Sequence, residues 1–130
     1  MFPELKLKQL QFESNAWKRL LCFMMDENVH LKNRITEILK NDTDNNLLEE
    51  IENFQNNLVR QDEVISLLRH DTAELDKLLV RELFEDGAIT KEINKKLKDL
   101  RNNISTAEKQ FTKVKLEFNN YLLETLPQVE

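Results

Sequence analysis

The chain has 130 residues, 33% of them charged, a net charge of −5, one glycine, two prolines and one cysteine. That composition leaves almost no material for tight turns or sheet corners, excludes an internal disulfide, and contains no apolar run of the roughly 18–20 residues that span a bilayer. It points to a single all-α domain over residues 1–130, acidic, cytoplasmic, and without a signal peptide.

The charge is unevenly placed. Residues 1–44 carry seven basic and seven acidic side chains, residues 45–86 carry four and eleven, and residues 87–115 carry eight and three. The acidic middle and the basic third segment are electrostatic complements and are expected to pack together. An acidic whole, with lysines that no aromatics interleave, argues against a nucleic-acid partner. Polar faces that are acidic or mixed argue against a membrane surface.

The first element is a helix over about 5–41. Apolar residues recur at spacings of three and four, with Leu10, Trp17, Met24, Leu31 and Ile38 at heptad position d. Leu7, Ser14, Leu21, Asn28 and Ile35 occupy position a. The run NDTDNN, residues 41–46, is rich in residues that favour caps and turns, and it ends this helix.

A second helix spans about 46–85, with Ile51, Leu58, Ile65, Thr72 and Leu79 at a and Leu47, Phe54, Gln61, Leu68 and Leu75 at d. The segment EDGAIT, residues 85–90, holds the only glycine, suited to a left-handed helix C-cap, and Thr90 is placed to N-cap the next helix. The third helix covers about 90–126. Ile93, Leu100, Ala107, Val114 and Tyr121 lie at d and Leu97, Ile104, Phe111 and Phe118 at a, before Leu126-Pro127 stops it.

Short connections make neighbouring helices antiparallel. Pairing residue i of the first helix with 89 − i of the second matches every a with a d and puts the turn at Asp44–Asn45. For the second and third helices the partner is 172 − i, with the turn at Asp86. Heptad phase and loop position agree in both cases. The expected fold is an antiparallel up-down-up three-helix bundle of long coiled-coil-like helices. In this register Asn28 faces Gln61, beside Phe111, as a buried polar layer, and an amide–amide hydrogen bond there would lock the alignment.

The stretch DENVH, residues 26–30, contains Glu27-x-x-His30, the spacing that gives two metal ligands from one helix in di-iron bundles. Here Glu27 falls at g and His30 at c, directed outwards, and the only other histidine, His70, lies at f and far along the axis. No metal, cofactor or catalytic residue is therefore assigned. No nucleophile–base pair, phosphate loop or zinc spacing is present either.

The stretch NVHLKNRITEIL, residues 28–39, resembles a segment of the dimeric zipper of basic leucine-zipper transcription factors. Asn28 matches that family's buried asparagine at a, Leu31 its leucine at d, and Ile35 the next a residue. The resemblance implies helix pairing. It does not imply DNA binding, because residues 4–21 lack the basic region and carry apolar seam positions. The overall layout is similar to spectrin-like three-helix bundles, with Trp17 on the seam of the first helix, and that analogy bears on architecture alone.

Outward apolar residues remain to be explained. Phe12, Cys22, Phe23 and Val29 lie on or near one flank of the first helix, a candidate interaction face. The function expected from the sequence is that of a non-enzymatic structural or protein-interaction module, acting as a homodimer or as an adaptor for a partner's helix. The alternative is a small acidic inhibitor or chaperone-type protein that masks a client surface.

Overall fold

A computed structural model describes residues 4–41, 44–85, 87 and 89–126. It has three α-helices and, among those residues, no strand: α1 (Glu4–Asn41), α2 (Asn45–Glu85) and α3 (Thr90–Thr125). At 1.5 Å per residue each is a rod roughly 55–60 Å long. No helix among the described residues is long and apolar enough to cross a membrane.

The heptad stripes are the interior. All five a positions of α1 are buried, as are Leu10, Met24, Leu31 and Ile38 at d, while Trp17 packs half-buried against the same core. On α2 and α3 the a and d residues are likewise buried or packed on the core, with Phe54, Gln61, Val114 and Tyr121 half-buried. Cross-helix contacts fix the alignment. Ser14 reaches Asp76 and Asn28 reaches Asp62, each one residue from the 89 − i pairing. Phe54 stacks edge-on against Phe118, the pair that 172 − i specifies.

The turns are built differently from each other. Asp44 caps α2: its side chain accepts from the backbone N–H groups of Asn46 and Leu47, and its carbonyl accepts from Leu48. Asp42 and Thr43 lie outside the described residues. At the second turn Gly87 takes a positive φ of 89°, which a Cβ would disfavour. Thr90 does not N-cap α3 as expected. It is the first helical residue, Ile89 holds the cap position without a side-chain bond, and the Thr90 hydroxyl lies 3.4 Å from Glu82 Oε1. The α3 backbone leaves the helix at Leu126, which is extended, and Pro127 lies outside the described residues.

One interruption divides the core. One apolar cluster gathers Met24, Ile65, Ala107 and Phe111 with the layers towards Gly87; the other gathers Leu31, Leu58 and Phe118 with those towards Asp44. Between them lies the level of Asn28 and Gln61.

Candidate functional site

Two stretches of α1 play the same roles. Glu13-Ser14 with Trp17-Lys18 and Glu27-Asn28 with Leu31-Lys32 stand two heptads apart, at positions g, a, d and e. The g and e positions flank the buried stripe on opposite sides, so one stretch can reach both neighbouring helices.

Towards α2, Ser14 Oγ donates to Asp76 Oδ1 at 2.6 Å, and Lys18 pairs with the other oxygen of that carboxylate. Two heptads along, Asn28 Nδ2 donates to Asp62 Oδ1 at 3.2 Å, and Lys32 pairs with Asp62 Oδ2. Each aspartate thus meets one buried polar side chain and one lysine. Gln11 adds a 3.4 Å contact to Asp76.

Towards α3, Glu13 accepts from Arg101 at 3.0 and 2.7 Å, a two-pronged pair. Glu27 accepts from Lys115 Nζ at 2.7 Å. Both pairs join a g residue to the e residue of the next heptad on a parallel helix. The Lys115 hydrogen bond holds the Glu27 carboxyl below its ordinary value, outweighing partial desolvation. The bond from Glu13 likewise raises Arg101. The Lys115 ammonium also stands 5.9 Å from the rings of Phe23 and Phe111, which meet edge to face.

The expected Asn28–Gln61 bond does not form. The two residues share a level, but Asn28 turns to Asp62, and Gln61 Nε2 donates 3.1 Å to the Gln110 carbonyl on α3. A carboxylate is a stronger acceptor than a neutral amide, and Lys32 supplies the charge that makes Asp62 tolerable there. Asn28 is 0% exposed, whereas Gln61 is only half-buried. The oxygens Asn28 Oδ1 and Gln61 Oε1 have no hydrogen-bond partner among the described residues.

The charge complement between α2 and α3 is also rerouted. Lys96–Asp71, at 3.9 Å, joins them, but the aspartates Asp62 and Asp76 go to lysines of α1. A further polar group escaped the sequence reading: Glu82 is 3% exposed at the d position after Leu75. The heptad repeat marks the position as d, but a glutamate there carries no apolar signal.

Glu27 and His30 are drawn apart, the former to Lys115 and the latter into solvent. His70 lies beside Asp71 and Glu74. Among the described residues no group of three His, Cys, Asp or Glu side chains could hold a metal ion.

The candidate interaction face is divided by the structure. Phe12, Cys22, Phe23 and Val29 are all exposed, but Phe23 leans towards α3 through Phe111. Cys22 lines a groove of about 520 Å³ on the other side, with Ser66, Arg69 and Ala73 of α2. Val29, one heptad from Cys22, belongs to that second side, and Phe12 points away from both seams.

Fold and contacts together define an all-α antiparallel three-helix bundle clamped at two levels. No protein-family model, curated protein or solved structure matches this chain.

Proposed function

We propose that this chain is a non-enzymatic helical module that works by protein–protein contact. The observation that carries the reading is how the side chains are used. Glu13, Glu27, Lys18, Lys32, Asp62 and Asp76, polar groups flanking the buried stripe, are paired across helices and hold them in register. Exposed apolar residues, by contrast, recur along the α1–α2 flank: Val29 at 48%, Val59 at 45% and Val80 at 53%. A rigid rod with an uncommitted apolar flank suits the presentation of a surface.

The test is a pull-down from the native organism with the intact chain, in parallel with a Val29→Glu/Val59→Glu variant. A defined protein, this chain included, retained by the former and lost by the latter is the expected result. Identical capture by both chains, or none by either, would overturn the reading. The alternative, an acidic module masking a basic client, rests on the exposed Glu49, Glu50 and Glu52. Loss of capture on their charge reversal, with Val29→Glu/Val59→Glu harmless, would favour it.

A further inference from the structure

We infer that the partner of the α1–α2 face is a second copy of this chain, lying antiparallel about a two-fold axis at Cys22 and Ser66. The inference rests on the contact reading above and specifies its occupant.

Along the seam of this face most charges are paired within the chain; Arg69, which lines the groove and donates to Met25 Sδ, has no carboxylate partner among the described residues. The face's two lysine–aspartate pairs, Lys18–Asp76 and Lys32–Asp62, are already neutralised within the chain. The row between them is small or branched: Asn15, Cys22 and Val29 on α1, Val59, Ser66 and Ala73 on α2, all at heptad position b and all exposed. Small side chains let a facing helix approach closely.

The row is also symmetric. Cys22 stands at the middle of α1, which runs Glu4–Asn41, and Ser66 at the middle of α2, which runs Asn45–Glu85. Asn15 and Val29 lie one heptad either side of Cys22; Ala73 and Val59 lie one heptad either side of Ser66. An antiparallel copy therefore brings the face onto itself.

Charge selects that direction. Arg19 and Asp26 lie at f on α1, at equal distances either side of its midpoint, and neither makes an ion pair among the described residues. The two-fold sets Arg19 of each copy against Asp26 of the other. On α2 the same operation sets His70 opposite Glu63.

Sedimentation velocity on the intact chain should find a concentration-dependent dimer. Arg19→Asp should weaken it by about 10-fold or more, since it sets carboxylate against carboxylate at each of two symmetric contacts. Arg19→Asp/Asp26→Arg should restore it, which a merely structural effect would not do. Oxidation of the wild-type dimer should link Cys22 to Cys22. Far-UV circular dichroism checks that each variant keeps its helices. A strictly monomeric chain, a double variant no tighter than the single one, or a dimer whose Cys22 stays unlinked overturns the inference. A monomer that still captures another protein in the pull-down sinks self-pairing while leaving the contact function standing.

Discussion

Asn28 donates its side-chain N–H to Asp62 at 3.2 Å across the α1–α2 seam, while Gln61, one residue from Asp62, turns to the opposite helix. The buried amide is thus held by a carboxylate that Lys32 also neutralises. Removing the carboxylate leaves a fully buried N–H donor unsatisfied. Asp62→Ala should lower stability by roughly 1–3 kcal/mol in urea denaturation, and Asp62→Asn by less, because an acceptor oxygen remains. Equal losses in the two variants would show that the hydrogen bond contributes nothing.

Glu27 gives the acid limb of stability a defined sign. Its carboxyl is held below the ordinary 4.5 by Lys115, so the folded chain binds that proton more weakly than the unfolded chain. The contribution is complete above about pH 4.5 and is lost as pH falls through the lowered value. Glu27→Gln should flatten the dependence of the melting temperature on pH below that point and leave its slope near pH 7 unchanged. An unaltered acid limb would remove Glu27 from the account.

Burial separates two large apolar residues by consequence. Met24 is 0% exposed between the helices, and Phe84 is 82% exposed on α2. Met24→Ala should cost about 2–5 kcal/mol through lost contacts and a residual cavity. Phe84→Ala should fall within about 0.5 kcal/mol, as exposed substitutions do. Chemical denaturation of both variants reads the contrast directly.

Gly87 carries the positive φ of the second turn. Gly87→Ala should destabilise by about 1–2 kcal/mol, the cost of a Cβ in the left-handed region. A loss no larger than that of Ala→Gly on an exposed helix surface would show that the turn relaxes to another conformation.

Much of the bundle was legible because heptads encode it twice. The stripes through Leu10, Ile51 and Ile93 name the buried face, and the loops at Asp44 and Gly87 set the pairing. Register fixes which residues share a level, and that is as far as periodicity reaches. It placed Asn28 and Gln61 together but could not rank their acceptors, because Asp62 lies at e, outside the stripe being counted. The clamps escaped for the same reason: their signal is Glu13, Ser14 and Lys18 repeated as Glu27, Asn28 and Lys32, a pattern spanning g, a and e. Residue type suits Thr90 to an N-cap, but its neighbour Glu82 takes the hydroxyl instead. The outward apolar residues of α1 share a stretch of sequence, but Phe23 and Cys22, adjacent in the chain, belong to different seams.

The spacing of the two clamps has a consequence for misfolding. If α1 slides along α2 by one heptad, Ser14 and Asn28 both lose their aspartates, and two polar groups enter the interior unmatched. A slide of two heptads offers one of them the other's partner, Asn28 to Asp76 or Ser14 to Asp62, and strands the second. The native alignment alone seats both, as a plug with two pins enters its socket in one position. Nearly uniform leucine and isoleucine layers would accept several alignments with little penalty. In this rod it falls to one serine and one asparagine to make the wrong ones expensive.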